Sequence, residues 1–408
     1  MAQAMAMSET SIREYTQKMR GRYGRMTGKS ARTRLIDEYV AVTGYERKYA
    51  IKVLRGTRRR EGAGRRRGSP KRYDEATDRS LRRLWLAMDQ PCGKRMKDML
   101  PLWLDHSGEK PAMRKRLLAM GAATIDRHLA AAKVNGPKKR LPPRSDAAIK
   151  SLVEIRAESW DAKEVGWTEV DTVAHCGGDM GGSFIWSLTS VEILSGWTEV
   201  RAVWNRGQHA TLQGMERIGA AQPFDLKGVD SDNGGEFLNH HLYGWLKERG
   251  IKQTRSRPYR KNDQAHVEQK NHTHVRQLLG YDRLGHEELL DPLNGLLSLW
   301  SLWKNLCCVT MEQISKKREG SRQIRRHAKR NRTPAERLEA SGQLSVDQKA
   351  WLEARRKESN PFEMKAEIER RLAAIWELRS RLEQMAEEES ALADEGSPPL
   401  RCVIPSSA

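Results

Sequence analysis

Three acidic residues carry the chemistry this sequence can do. Asp232 ends the short apolar run Gly228-Val229-Asp230-Ser231-Asp232, and Asn233-Gly234-Gly235 follows, a turn signal that exposes the side chain before it. Glu268 falls inside the helical stretch from Gln264 to Asn271. Asp171 sits within Trp167-Thr168-Glu169-Val170-Asp171-Thr172, where apolar and polar residues alternate as in a half-buried strand. Carboxylates from separate elements are hard oxygen ligands of the kind Mg²⁺ takes, one or two per ion, with water and phosphate oxygens completing the shell. Two such ions, about 3.5–4 Å apart, stabilise both the attacking and the leaving oxygen at a phosphodiester. Two Mg²⁺ ions are therefore the expected cofactor, with Mn²⁺ able to replace them.

Other acids compete for these roles. Glu169 shares the strand face of Asp171, opposite Val170, and Asp230 shares a face with Asp232 on strict alternation. Asp230 is the strongest rival, but it lacks the turn that follows Asp232. Glu236 reads as a first-turn helix acid favoured by the dipole, and Asp263 as a cap for the helix that carries Glu268.

The elements around the acids follow from periodicity and turn signals. Strands are expected over 166–175, 183–194 and 197–204, with Gly181-Gly182 and Ser195-Gly196 at the turns. A helix over about 208–221 follows, then a strand ending at Asp232, a helix over 237–249, a strand over 251–256 and the Glu268 helix. A short helical segment over 147–159 is expected to lead into this region.

The string SDNGGEF, then Gly250-Ile251, Ser256-Arg257-Pro258-Tyr259 and a Glu within Val267-Glu268-Gln269-Lys270-Asn271 resembles the integrase catalytic core of insertion-sequence transposases and retroviral integrases. Residues 233–267 separate the last two acids, 35 in all, which is the spacing usual in that family. The resemblance implies an α/β, ribonuclease-H-like core with a mixed sheet, and it implies Asp171, Asp232 and Glu268 as catalytic, metal-holding residues. It further implies a DDE-type transposase that cleaves DNA at element ends and joins them to target DNA. Where the family often has Asn-Gly shortly before its Glu, this chain has Asn262-Asp263-Gln264-Ala265-His266. A catalytically silent DNA-binding regulator and a nuclease of the same fold without strand transfer are the alternatives.

Charge points to the same substrate. The 408 residues carry 74 Lys and Arg against 53 Asp and Glu, a formal net charge of +21. A chain so basic suits a polyanion, since neutralising phosphates and releasing counterions supplies most non-specific nucleic-acid affinity. The five cysteines form no metal-binding or disulfide framework, which fits a reducing, cytoplasmic location on or near DNA. No stretch reads as a membrane span: the most apolar, 289–309, is broken by Asp291, Pro292, Asn294 and Lys304 and reads as a buried helix through Leu293, Leu296, Leu297, Trp300 and Trp303.

The expected organisation is multidomain, with α-helical ends flanking the α/β core. Residues 1–57 read as a helix-turn-helix DNA-binding domain. Ser30 would cap its first helix, Tyr49, Ala50 and Val53 would face inward, and Arg47, Lys48 and Lys52 would face DNA. Residues 58–73 are a basic linker whose Arg58, Arg59, Arg60, Arg65, Arg66 and Arg67 can track a DNA backbone. A second helix-turn-helix-like unit spans 74–134, with Thr124, Arg127 and His128 free for DNA. A basic Pro-rich linker covers 135–160 and the core covers 161–285, with Arg257, Tyr259, Arg260, Lys261 and Lys270 as expected DNA contacts. A core-packing helix and a basic segment, solvated or DNA-facing, fill 286–332. Residues 333–408 are a helical region in which Thr333 and Pro334 start a helix. Ile368, Ile375 and Leu382, seven apart, suit a short coiled coil or an intramolecular docking helix there. A homo-oligomer assembled on element-end and target DNA is the expected partner arrangement.

Overall fold

The computed structural model describes residues 9–56, 73–132, 154–155, 164–256, 264–319 and 322–395. It divides into two compact units, Met1–Arg72 and Tyr73–Ala408.

The first unit holds three helices, α1 (Glu9–Arg25), α2 (Lys29–Thr43) and α3 (Arg47–Arg55). Met19, Leu35, Ile36, Tyr39, Ala50 and Leu54 form their common core. Gly44 ends α2 in the left-handed region, φ 68°, and its N–H returns to the Val40 carbonyl, a stop that favours glycine. Two local expectations fail. Gly28, not Ser30, occupies the cap position, with no side-chain bond. Tyr49 is half exposed because Ala50 and Leu54 fill the inward face of α3.

The second unit is built on a six-stranded mixed sheet in the order β1-β6-β5-β2-β3-β4. The strands are β1 (Glu154–Ile155), β2 (Trp167–Ala174), β3 (Ile185–Glu192), β4 (Thr198–Trp204), β5 (Gly228–Ser231) and β6 (Lys252–Arg255). β2, β3 and β4 run antiparallel as a meander, while β5 joins β2 and β6 in parallel. The expected helix over 147–159 is corrected where the structure describes it, because Glu154–Ile155 pairs in parallel with Thr254–Arg255.

Each sheet face is covered. On one, Val170, Leu188 and Val229 pack with α8 (Gln208–Ala221) and α9 (His240–Glu248). On the other, Val173, Val200 and Ala202 pack under α12 (Leu290–Cys307). α12 also closes the edge of β4. Asn294 bonds both the N–H and carbonyl of Ala202, Ser301 accepts from Val200 N, and Asn305 bonds both groups of Thr198. Exposed edge groups invite pairing with other chains, and these three side chains occupy them.

Helices α4 (Glu75–Ala87), α5 (Gly93–Leu104), α6 (Pro111–Leu118) and α7 (Ala122–Leu129) share the core of α12 rather than standing apart. Trp103 Nε1 donates to the Cys307 carbonyl at 2.9 Å, Arg95 to that of Val309, and Lys304 pairs with Asp89 at 2.7 Å. Sequence composition marks a linker after residue 134, but not this packing across it.

The C-terminal helices are α13 (Pro334–Ala340), α14 (Val346–Glu358) and α15 (Pro361–Glu395). Thr333 caps α13 in a full capping box with Glu336. Ile368 and Ile375 are buried in the same core as α12, so this half of the heptad stripe packs within the chain. Met385, further along, is exposed.

Candidate active site

The site is set by strand register. β2 and β5 pair in parallel through Glu169↔Asp230 and Val170↔Ser231. Asp171 is the next residue of β2 and Asp232 the first residue past β5, so the register sets the two acids at one level on adjacent chains. Asp232 turns back on its own loop: its Oδ1 accepts from Gly234 N at 2.8 Å. A Cβ at Gly234 would lie 2.4 Å from Glu236 Oε2 and 2.8 Å from Asp232 Oδ1, so glycine is needed for the acids to stand there. Asn233 ties the loop to the neighbouring strand, donating to the Ser256 carbonyl and accepting from Arg255.

Asp171 is half-buried. Its Oδ1 accepts from Thr172 N at 2.8 Å and its Oδ2 from Asn271 Nδ2 at 2.7 Å. Burial first, and then the charge of Asp232, push its carboxyl up to about 7 against the ordinary carboxylate range. The raised value has a consequence for stability. In the unfolded chain Asp171 ionises near pH 4, so the folding penalty develops as pH rises from there to about 7 and is complete above. In metal-free buffer, Asp171→Asn should therefore melt higher than the wild type at pH 8.5, by about 1–2 kcal/mol for a side chain only half-buried, and equally at pH 4. Thermal melts at the two pH values check this; an unchanged difference across them would contradict it.

Glu268 lies on α10 (Ala265–Lys270), which continues through the π-helical turn Asn271–Arg276 into α11 (Gln277–Leu279). Glu169 positions this helix. Its buried Oε2 accepts from His266 N and Val267 N, each at 3.1 Å, and so fixes the first turn to β2 two residues before Asp171. An acid at a helix N-terminus satisfies otherwise unpaired N–H groups and meets the positive end of the dipole. Asn271, three residues after Glu268 and on the same helical face, is the residue that touches Asp171. Glu268 itself is exposed.

Among the described residues, no three His, Cys, Asp or Glu side chains converge closely enough to hold one metal ion. The structure thus brings Asp171 and Asp232 together. It leaves Glu268 outside that pair, on the helix whose next turn reaches Asp171. The donor set suits a hard divalent cation: two carboxylates whose mutual repulsion a positive charge would relieve, with no soft ligand beside them.

The rival acids have other partners. Asp230 is fully buried and accepts from Thr254 Oγ1 at 2.7 Å. Glu236 is not in the first turn of a helix, since α9 starts at His240 under its own cap, Asn239. It is buried instead between Thr172 Oγ1 at 3.2 Å and Arg206 at 3.4 Å, within reach of the charge of Asp232. Glu169, Glu236 and Asn271 were missed as parts of the site. Only Asn271 left a signal, its i+3 spacing from Glu268.

The expected DNA contacts divide. Arg47, Lys48 and Lys52 are exposed on α3, with Arg47 also paired to Asp37. Arg127 is exposed and donates to a half-buried Thr124. His128 is corrected: it is not free, because its Nδ1 lies 2.6 Å from Asp78 Oδ1 and its ring meets Tyr73 edge-on. Lys270 is corrected likewise. It is buried, with Nζ on the Gly196 carbonyl at 3.2 Å, and its ammonium is pushed down to about 7 by burial and by neighbouring cations. Arg58, Arg59, Arg60, Arg65, Arg66, Arg67, Arg257, Tyr259, Arg260, Lys261 and Asp263 lie outside the described residues.

Residues 161–261 match the family model of the integrase core domain, a span that takes in Asp171 and Asp232 and ends before Glu268. A protein of Sinorhizobium fredii (strain NBRC 101917 / NGR234), named Uncharacterized protein y4rM, is 36% identical over 311 residues, covering 74% of this chain and 88% of its own. The crystal structure of the catalytic core domain of BIV integrase aligns with 43% of this chain and 96% of its own, at 21% identity and a TM-score of 0.30. The chain carries an integrase core and belongs to one family with the rhizobial protein.

Proposed function

We propose that the protein is a DDE-type transposase that nicks DNA at the ends of a mobile element and joins the freed ends to target DNA. The observation that carries this reading is the placement of Asp171 and Asp232 side by side at the end of the β2–β5 ladder, in a chain with an integrase core and a net charge of +21. Asp171, Asp232 and Glu268 would hold two Mg²⁺ ions. When bound, such ions polarise a phosphodiester and stabilise the attacking and leaving oxygens.

The chain's own groups preorganise that arrangement. Asn271 and the Thr172 N–H fix the Asp171 carboxylate, and the Gly234 N–H fixes that of Asp232. Glu169 holds the Glu268 helix against β2. Closing the set requires the Glu268 carboxylate to come within reach of the Asp171–Asp232 pair. Exposed Arg47, Lys48 and Lys52 suit α3 to element-end DNA. The test is purified protein with labelled duplexes carrying the sequences that flank its gene. Mg²⁺-dependent nicking followed by joining to a second duplex is the expected result. Hydrolysis without joining would make it a nuclease, and binding without cleavage a regulator; either outcome refutes the proposal.

A further inference from the structure

The basic segment after α12 folds into a two-stranded antiparallel ribbon, β7 (Gln313–Glu319) with β8 (Arg322–His327). Lys316, Lys317 and Arg318 lie on one strand and Arg322, Arg325 and Arg326 on the other, with Glu319 as the only acid in either. The register sets Lys316 directly opposite Arg325, and like charges in that position are destabilising. Isolated two-stranded hairpins are marginal in water even without such pairs. The ribbon's two isoleucines, Ile314 and Ile324, are 66% and 39% exposed. The ribbon is nonetheless firmly held at its base. Thr310 bridges to Arg332, Ala328 N bonds the Glu312 carbonyl at 2.9 Å, and Arg337 donates to the Thr310 carbonyl.

Each strand of the ribbon carries three of the six cations, Lys316, Lys317 and Arg318 on one and Arg322, Arg325 and Arg326 on the other. A ribbon of this length spans about 20 Å, and the B-DNA major groove admits a two-stranded ribbon between its two phosphate walls. We propose that the Gln313–His327 ribbon is a docking element for duplex DNA, its six cations neutralising phosphates on both walls of one groove. The choice of DNA as the polyanion rests on the reading of the chain as a DNA-joining enzyme; the missing negative charge does not.

The test uses the full chain, a 30-base-pair duplex and fluorescence anisotropy in EDTA across a range of KCl concentrations. Two variants are compared with the wild type. One is K316Q/K317Q/R318Q/R322Q/R325Q/R326Q; the other is R318K/R322K/R325K/R326K, which keeps the charge. Each neutralised phosphate contributes about 0.9 to the slope of log K against log salt. The glutamine variant should bind at least about 30-fold more weakly at 0.1 M KCl, with a slope shallower by about 3–5. The lysine variant should keep the wild-type slope. Without DNA the glutamine variant should melt no lower than the wild type. A glutamine variant that binds with wild-type affinity and slope overturns the ribbon proposal and leaves the catalytic reading intact. Because EDTA removes the chemistry, a wild type that never joins DNA refutes that reading without touching the ribbon.

Discussion

Asp232→Asn should abolish DNA joining while leaving binding to element-end DNA within a few-fold of the wild type. The substitution keeps the shape of the side chain and an oxygen that can still accept from Gly234 N, so the loop after β5 should hold. What it removes is half of the paired negative charge at the end of the β2–β5 ladder. A metal ion contributes several kcal/mol of charge stabilisation at a phosphodiester, and each 1.36 kcal/mol is a factor of ten in rate. A loss of at least about a thousandfold in joining rate is therefore expected. Single-turnover assays with saturating DNA, alongside anisotropy binding, separate the two effects. Joining within tenfold of the wild type would remove Asp232 from the site.

Trp103→Ala should destabilise the whole second unit, not only its helical flank. Trp103 is fully buried, donates to the Cys307 carbonyl, and meets the rings of Trp303 and Phe362 edge-on at 6.0 and 5.0 Å. Removing a buried Trp costs about 3–5 kcal/mol through lost burial and the cavity left behind, and here the Cys307 carbonyl also loses its donor. Because α5, α12 and α15 meet at this ring, far-UV and near-UV signals should melt together and at lower temperature than in the wild type. A variant in which only part of the helical signal melts early would mean that residues 73–132 fold on their own.

How far sequence reaches into this molecule depends on how local the cause is. The meander β2–β3–β4 was legible because β-branched and aromatic residues recur along it and Gly181-Gly182 and Ser195-Gly196 mark the reversals. α12 and the Thr333 cap of α13 were legible from helical spacing and cap chemistry, both settled within a few residues. β1 was not: it is two residues long, and its pairing with β6 is decided a hundred residues away. The ribbon escaped notice because Lys and Arg runs carry no alternation of apolar and polar residues. The acids Asp171 and Asp232 could be read from their flanks. The duty of Glu169 could not, since a strand carboxylate capping a helix 97 residues later has no local signature. The single compact unit from Tyr73 onward was hidden for the same reason, its joints running from Trp103 to Cys307 and from Asp89 to Lys304.

Ion binding at the paired acids is tested most directly by anomalous diffraction from crystals grown with Mn²⁺ and a DNA end. Density is expected between the Asp171 and Asp232 carboxylates at about 2.1 Å from their oxygens, the distance a hard octahedral ion demands, with Glu268 drawn in to complete the set. Crystals saturated with metal and DNA that show no density at the Asp171–Asp232 pair, or density there without Glu268 among its ligands, would contradict this assignment.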